Sequence, residues 1–192
     1  MDDNRSTESI IHYFRCAKFV NSFNIHMQAV NLRSFRQKAR HHKKRLRAFL
    51  NKVSRNPPAD LDKQAISIEK SVWKEIDCLS CANCCKTMTP TFNRRDIIRI
   101  SKHFDMTPSA FSKKWLRRDR IGDMLNKTEP CQFLNLKDNK CSIYEIRPHD
   151  CSSFPHLSSK KMVDYIHVHK QNVEYCPATY RMVEKMMEQI EG

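Results

Sequence analysis

A run of closely spaced cysteines constrains this chain more than any other feature of its sequence. Four cysteines lie within eight residues and four more follow: Cys78, Cys81, Cys84, Cys85, Cys131, Cys141, Cys151 and Cys176. Thiolate is the softest ligand that a protein offers, and gaps of two residues bring successive sulfurs within reach of one metal ion or one iron–sulfur cluster. The sequence therefore predicts a fold that is organised around a cysteine-rich metal centre.

Glycine is almost absent from the 192 residues, which contain only Gly122 and Gly192. Dinucleotide and phosphate loops need glycine for tight turns and close backbone approach. Neither a GxGxxG nor a Walker A pattern is present, so a nucleotide site of those kinds is not expected. No apolar run reaches the roughly 20 residues of a membrane-spanning helix, and the acidic N-terminus is unlike a signal peptide. We therefore expect a cytoplasmic protein whose thiols stay reduced.

The positive charge of the chain is concentrated in one segment. The formal net charge is +14, yet residues 28–55 alone carry ten Lys or Arg and no Asp or Glu. Residues 56–192 carry 22 basic and 18 acidic side chains and are nearly balanced. This division indicates a strongly basic, helical N-terminal extension over residues 1–56 and a cysteine-cluster metal-binding domain over residues 57–192.

The basic segment also has the apolar spacing of an amphipathic helix. Its apolar residues recur at steps of three, four and seven: Leu32, Phe35, Ala39, Leu46, Phe49 and Val53. This stripe predicts a helix over residues 28–55 that ends before Pro57. Three interpretations are open: contact with nucleic-acid phosphates, contact with an anionic membrane surface, or packing of the stripe on the domain with a solvated charged face. Packing is the default expectation.

The remaining sequence is mainly helical with a little sheet. Apolar periodicity and capping residues predict helices over residues 9–27 and 60–77, after Asn93, after Thr107, and from Pro177 to Glu191. The segments that begin at Cys131 and Cys141 have the pattern of a short β-hairpin, and residues 162–169 that of a third strand. The cysteine run itself is predicted to be a loop. The expected fold class is therefore α+β: a mainly helical small domain with a short β-hairpin.

Several ordered motifs between residues 76 and 177 resemble those of a known family. The motifs are Cys78-x2-Cys81-x2-Cys84-Cys85, Pro130-Cys131-Gln-Phe133-Leu134, Cys141-Ser-Ile143-Tyr144-Glu145-x-Arg147-Pro148-x2-Cys151 and Phe154-Pro155. Their order is similar to that of the CxxCxxCC family of the YkgJ type, a domain described as zinc- or iron-chelating. Members commonly have glycine inside the first motif, where this chain has Ala82-Asn83. The basic N-terminal segment lies outside the resemblance.

The resemblance implies metal chelation but no particular reaction. Flagellin lysine-N-methylases contain a related cysteine module, for which an iron–sulfur cluster is the expected cofactor. This chain lacks the additional length of those enzymes, and none of its residues match a methyl-donor site. A metal-binding protein is therefore the main expectation. The alternatives are an iron–sulfur-dependent enzyme of group transfer or redox chemistry and a zinc-stabilised nucleic-acid-associated module, so the sequence leaves enzymatic activity open.

Three interpretations of the sulfurs compete. A [4Fe–4S] cluster needs four thiolates, and Cys78, Cys81 and Cys84 have the two-residue gaps of ferredoxins. Zinc could occupy two four-thiolate sites or one mixed site, although zinc usually pairs two well-separated CxxC motifs. Buried free thiols, which pack like small hydrophobes, explain eight clustered cysteines poorly. An iron–sulfur cluster is therefore the favoured cofactor, with zinc as the alternative.

All eight clustered cysteines are candidate metal ligands. The strongest candidates are the four that share one segment: Cys78, Cys81, Cys84 and Cys85. Three others are expected to converge on the same centre: Cys131, Cys141 and Cys151. Cys176 precedes Pro177 and resembles the Cys-Pro ending seen in ferredoxin motifs. Cys16 stands alone and is predicted to be a plain thiol.

Other polar residues near the cysteines have structural interpretations. Arg147 is expected to donate hydrogen bonds to backbone carbonyls or to a sulfur, and Asp96 to be a helix-end carboxylate rather than a catalytic base. Four histidines are expected at the surface rather than on a metal: His149, His156, His167 and His169. The two that flank Cys151, His149 and His156, could alternatively act as ligands or orient them.

Overall fold

The structure is a computed structural model that describes residues 29–158 and 161–192. The predicted helix over residues 9–27, with Cys16 inside it, lies outside the described residues. The described part of the chain is mainly helical with a two-stranded antiparallel sheet, which confirms the α+β class. Within these ranges, no helix is both long enough and apolar enough to cross a membrane.

The basic segment forms the first and longest helix, α1, over Leu32–Arg55. The helix begins after Asn31, whose side chain accepts a hydrogen bond from the Ser34 N–H at 3.0 Å. It ends at Asn56, because the two prolines that follow cannot continue it. The predicted helix is therefore confirmed, with its start a few residues later than the apolar pattern indicates.

Three further helices pack with α1 into a helical bundle. They are α2 at Leu61–Glu75, α8 at Ile166–Tyr175 and α9 at Pro177–Glu191. Helix α1 lies against α8 and α9, and α2 lies against α9. The predicted helices at residues 60–77 and 177–191 are confirmed. Asp60 does precede α2, but its carboxylate accepts from the Gln64 side chain at 2.9 Å instead of capping a backbone N–H.

The bundle core explains why these helices associate. The apolar stripe of α1 is buried there, together with Ala65 and Val72 of α2 and Met182 and Val183 of α9, all of which are fully buried. Each large aliphatic side chain buried in this way contributes about 1.5–3 kcal/mol of transfer free energy. Packing of the α1 stripe, the default expectation for the basic segment, is confirmed.

A second, smaller core lies among the middle elements of the chain. These elements are α5 at Arg94–His103, α6 at Pro108–Trp115, β1 at Leu116–Arg118 and β2 at Met124–Asn126. The six buried members of this aromatic core are Phe92, Ile100, Phe111, Leu116, Phe133 and Ile143. The rings of Phe104, Phe111 and Phe133 stack with centroids 6.0–6.4 Å apart.

The caps predicted for α5 and α6 are confirmed. The Asn93 side chain accepts from the Asp96 N–H at 2.9 Å, and the Asp96 carboxylate accepts from the Asn93 N–H at 3.2 Å. This reciprocal pair is a capping box, which satisfies two backbone donors that the first turn leaves free. Thr107 caps α6 through the Ala110 N–H, and Pro108 occupies the first turn.

The hairpin lies at a different place from the predicted one. Strands β1 and β2 pair antiparallel with Leu116 opposite Asn126, and Gly122 in the connection has φ of 99°. The segments after Cys131 and Cys141 form only an isolated bridge between Leu134 and Cys141. The hydrophobic residues of these segments lie in turns and bury their side chains in the aromatic core. The segments therefore do not pair over enough residues to form a β-ladder.

The predicted third strand over residues 162–169 is wrong. Met162–Tyr165 forms a 3-10 turn, and α8 begins at Ile166. The alternation of Val163, Tyr165 and His167 suggests a strand, but tertiary packing decides otherwise. Burial follows the helical spacing of Ile166, His169 and Val173, which places one face of α8 against the bundle.

Candidate metal centre

The cysteine run forms two short helices, so the predicted loop is wrong. They are α3 at Cys78–Cys81 and α4 at Asn83–Thr87. The Asp77 carboxylate starts α3, since it accepts from the N–H groups of Leu79 at 2.9 Å and Ser80 at 3.2 Å. Ala82 separates the two helices in the left-handed conformation, with φ of 46°. Ala82 lies inside the first motif, where the resemblance implies that a glycine is common, and glycine adopts this conformation without a steric cost.

This local structure decides where the first four sulfurs lie. Cys78 and Cys81 are three residues apart on α3 and therefore share one face. Cys84 and Cys85 are consecutive residues of α4, and their sulfurs lie 4.0 Å apart. Cys78 is exposed, Cys81 is buried, and the pair on α4 is partly buried.

Helix α4 also contacts the segment that carries Cys176. The Asn83 side-chain amide donates to the Tyr175 carbonyl at 2.6 Å, so the residue that follows Tyr175 lies beside α4. Cys176 is buried at the first turn of α9, where its sulfur accepts from the Thr179 N–H at 3.4 Å. The structure thus brings together the first run and the most distant of the predicted ligands.

Cys131 is joined to the same run from the other side. Its N–H donates to the Cys85 carbonyl at 2.8 Å. Its sulfur accepts from the side-chain amide of Asn126 at 3.0 Å, and Gln132 donates to the Asn126 amide oxygen at 3.0 Å. Because Asn126 is fully buried, its amide has a fixed orientation that directs an N–H group at the sulfur.

Cys141 and Cys151 lie on the elements next to Cys131. Cys141 is opposite Leu134, whose N–H donates to the Cys131 carbonyl at 3.0 Å. Cys151 belongs to a short helix, α7, at His149–Ser153. All eight described cysteines are free, and none forms a disulfide.

Burial dominates the acidity of most of these thiols. Desolvation raises the pKa of Cys81, Cys131, Cys141, Cys151 and Cys176. Such thiols are protonated at neutral pH when no cation compensates the charge. A metal would therefore displace their protons, and metal affinity would fall as the pH falls.

The pair on α4 departs from this pattern. A hydrogen bond from Cys84 lowers the pKa of Cys85 to about 7, and the same interaction raises the pKa of Cys84. The positive charge of Lys86 also favours the Cys85 thiolate. Among the described cysteines, Cys85 is therefore the thiol that most readily presents an anionic sulfur, the form that binds metals.

The donor set fits a thiophilic metal. Within residues 29–158 and 161–192, no three His, Cys, Asp or Glu side chains form a group that could hold a metal ion as they stand. The chemistry nevertheless suits zinc or iron, because the ligands are soft thiols and two of the sulfurs already accept hydrogen bonds from N–H groups.

Arg147 and Asp96 have the structural roles that the sequence predicts. The Arg147 guanidinium donates to the Tyr144 carbonyl at 2.7 Å and lies 4.0 Å from the centre of the Tyr144 ring. Its charge also favours the Cys141 thiolate. Asp96 is buried and accepts from Arg99 at 2.9 Å and from the His149 N–H at 3.1 Å.

The histidines near the cysteines differ in burial, although the sequence predicts that all of them lie at the surface. His149 is exposed, as predicted. His156 is partly buried and pairs with the Asp150 carboxylate at 3.2 Å. His169 is fully buried, so the predicted surface position is wrong. It lies on the face of α8 that packs into the bundle, which the strand assignment for residues 162–169 could not show.

Two residues that shape the site were missed by the sequence analysis. Asn83 links α4 to Tyr175, and its position inside the cysteine run is a signal that could have drawn attention to it. Asn126 donates to the Cys131 sulfur, but its sequence neighbourhood resembles that of any polar strand residue. Its role depends on tertiary packing alone.

The comparisons with known proteins agree with this site. The segments that carry the described cysteines are linked by backbone and side-chain contacts. Residues 77–177 match the CxxCxxCC family, whose description is "Putative zinc- or iron-chelating domain". The match covers more than half of the chain, and the chain belongs to this family.

One relative among the curated proteins is an uncharacterized protein of Methanocaldococcus jannaschii, MJ0661. It is 30% identical over 81 residues, which are 41% of this chain and 43% of the relative. The match therefore spans less than half of the length of that protein. No solved structure matches the chain.

Proposed function

We propose that this protein binds an iron–sulfur cluster through its clustered cysteines, with zinc as the alternative occupant of the same sulfurs. The observation that carries the proposal is the connection of the cysteine run to both remote groups of cysteines. Asn83 joins α4 to the residue before Cys176, and the Cys85 carbonyl accepts from the Cys131 N–H. Segments far apart in sequence thus present their thiols to one region of the fold.

The proposed ligands are the thiolates of Cys78, Cys81, Cys84, Cys85, Cys131, Cys141, Cys151 and Cys176. Iron–sulfur clusters are held by cysteine thiolates, and the three-residue steps of the run match ferredoxin ligands more closely than paired zinc motifs. When bound, the cluster supplies one-electron chemistry and a covalent crosslink between segments. A [4Fe–4S] cluster is the form that the spacing favours.

The surrounding residues support an anionic sulfur centre. Lys86 and Arg147 bring positive charge to Cys85 and Cys141, and Asn126 donates an N–H to the Cys131 sulfur. These contacts stabilise thiolates relative to thiols. The free state of all eight described cysteines also suits a reducing cytoplasm, which is the compartment that we propose.

The anionic partner predicted for residues 28–55, a nucleic acid or a membrane surface, stays a prediction. Part of the basic face of α1 is paired inside the molecule. Lys43 and Arg47 contact Glu174 at 2.8 and 3.1 Å, and Lys52 contacts Glu191 at 3.0 Å. We propose a metal centre that is structural, sensory or a carrier of electrons or metal as the main function.

Anaerobic purification followed by metal analysis tests the proposal. We expect brown protein with visible absorption and matching amounts of iron and acid-labile sulfide. Colourless protein with stoichiometric zinc would support the alternative occupant. Cys84→Ser should lose bound metal, whereas the matched control Cys16→Ser should retain all of it. Protein that holds neither element when fresh, or full metal retention by Cys84→Ser, would overturn the assignment.

A further inference from the structure

We propose that a cavity beside the aromatic core binds a small organic acid, a molecule with an apolar body and a single carboxylate. This hairpin cavity lies between the start of α5, the start of α6 and the β1–β2 hairpin, and its volume is about 450 Å³. That volume falls in the range of small-molecule sites, about 300–1,000 Å³. The inference goes beyond the proposed function and does not depend on it, because no cysteine lines the cavity.

The apolar part of the lining continues the aromatic core. Phe92 is buried in that core, and Ile97 and Met124 pack against it while they also line the cavity. Ile98 lines the same space and is 49% exposed. An apolar ligand body would remove these side chains from water, which is the main source of affinity in small-molecule sites.

Hydrogen bonds hold the two walls of the cavity in fixed positions. The Phe92 N–H donates to the Met124 carbonyl at 2.8 Å, which joins the segment before α5 to strand β2. In the hairpin, the Asp119 carboxylate accepts from the N–H groups of Ile121 and Asp123, both at 2.9 Å. A ligand would therefore meet a site that is already formed and would lose little free energy in ordering it.

Two arginines bring positive charge to the cavity, Arg94 at the start of α5 and Arg118 at the end of β1. Among the described residues, neither forms an ion pair with a carboxylate, whereas Arg99 on the same helix pairs with Asp96 at 2.9 Å. The Arg118 guanidinium donates to the Gly122 carbonyl at 3.3 Å. This bond orients the group and leaves other N–H donors for a ligand.

The charges of the lining favour a ligand with one negative charge. Asp123 is the one acidic residue among the described residues that line the cavity, so it opposes the charges of Arg94 and Arg118. The lining therefore has a formal charge of +1, from two arginines and one aspartate. A single carboxylate balances this charge and matches the planar fork of a guanidinium. A phosphate dianion would exceed the positive charge and would also be repelled by Asp123.

Calorimetric titration of the full-length, metal-loaded protein with octanoate tests the proposal at low ionic strength. Octanoate has one carboxylate on an apolar chain, and octanamide has the same chain without the charge. We expect saturable binding of octanoate with a Kd below about 1 mM. Octanamide should bind at least about tenfold more weakly, because it cannot form charge-assisted hydrogen bonds with the arginines.

Variants of the lining residues locate the binding site. Arg94→Ala and Arg118→Ala should each weaken octanoate binding about tenfold or more. The matched controls are Arg95→Ala and Arg117→Ala, which remove exposed neighbouring arginines outside the lining and should change the Kd less than about twofold. Asp123→Asn removes the opposing charge and should tighten binding about threefold.

Several results would overturn the inference while leaving the proposed metal binding intact. Octanoate that does not bind saturably, or octanamide that binds equally well, would do so. Equal weakening by the control variants would show only a general charge effect, and weaker binding by Asp123→Asn would contradict the preference for one carboxylate. Tighter binding of N-acetyl-leucyl-leucine than of octanoate would assign the cavity to a peptide C-terminus and would overturn the small organic acid.

Discussion

The helical bundle and the cysteine region, residues 78–153, are stabilised in different ways. Among the described residues, the bundle core contains 21 buried side chains, whereas the aromatic core of the cysteine region contains six. The bundle therefore has an ordinary hydrophobic core. The cysteine region has short helices, a three-residue strand pair and many turns, which bury little apolar surface.

Small cores cannot offset the conformational entropy lost on folding without additional crosslinks. Seven of the eight clustered cysteines belong to this poorly buried region. From this contrast we expect the proposed metal–sulfur bonds to stabilise the cysteine region in the way that apolar burial stabilises the bundle. The helical bundle and the cysteine region should therefore lose different amounts of stability when the metal is removed or when a core side chain is truncated.

Metal removal should produce the largest difference between the two regions. Structural zinc contributes an apparent free energy of about 10–16 kcal/mol in small thiolate domains. We expect anaerobic chelation to increase amide hydrogen exchange about 100-fold or more between residues 92 and 147, and by less than about tenfold in the bundle core. Hydrogen-exchange mass spectrometry measures both at once.

A bundle substitution provides the reciprocal control. Leu50 is fully buried in α1, so Leu50→Ala should lower the free energy of unfolding by about 2–5 kcal/mol while bound metal stays unchanged. If chelation reduced the protection from hydrogen exchange equally in both regions, the bundle would also depend on the metal. That result would contradict the proposed difference between the two regions.

Mild acid should weaken the bundle through His169. Neither ring nitrogen of this fully buried side chain has a hydrogen-bond partner. Burial, and then the charges of His156 and His167, lower its pKa from 6.5 to about 4. In the unfolded chain the His169 imidazole therefore becomes protonated below about pH 6.5, whereas in the folded chain it stays neutral down to about pH 4. The free energy of unfolding is therefore highest above pH 6.5, and it should decrease by about 3 kcal/mol as the pH falls from 6.5 to 4.

Urea unfolding at several pH values measures this loss. His169→Leu should remove most of the pH dependence of bundle stability between pH 6.5 and 4. The matched variant His149→Gln changes an exposed residue and should leave the dependence unchanged. If the free energy of unfolding of His169→Leu and of the wild type decreased equally between pH 6.5 and 4, groups other than His169 would cause the acid destabilisation.

Ala82→Gly should produce the smallest effect, and in the opposite direction. Ala82 has φ of 46°, a conformation that costs an L-residue about 1 kcal/mol relative to glycine. We expect a gain of about 1 kcal/mol, seen as slower hydrogen exchange at α3 and α4. Ala48→Gly in the exposed face of α1 is the matched control and should cost about 1 kcal/mol. Destabilisation by Ala82→Gly would contradict the strain argument.

The sequence predicts the parts of this fold that depend on local rules. The apolar stripe of α1, the capping box at Asn93 and Asp96, and the Pro177 start of α9 each follow from spacing or from one capping residue. The family resemblance is confirmed over residues 77–177. The eight candidate ligands and the domain boundary at residue 56 stay predictions.

The errors arise where tertiary contacts override local pattern. The hydrophobic segments after Cys131 and Cys141 suggest strands, yet their side chains fill the aromatic core from turns. Residues 162–169 alternate like a strand, yet α8 buries His169 and Val173 with helical spacing. The partners of Asn83 and Asn126 lie on other elements, so no local rule identifies these two residues.

Asn83 has a mechanical consequence for the whole molecule. Its amide oxygen accepts from Arg36 at 3.3 Å, and its amide N–H donates to the Tyr175 carbonyl. One buried side chain thus ties together segments that are 47 and 92 residues away along the chain. A displacement of α4 would therefore be transmitted through this one side chain to Arg36 on α1 and to the end of α8 at Tyr175.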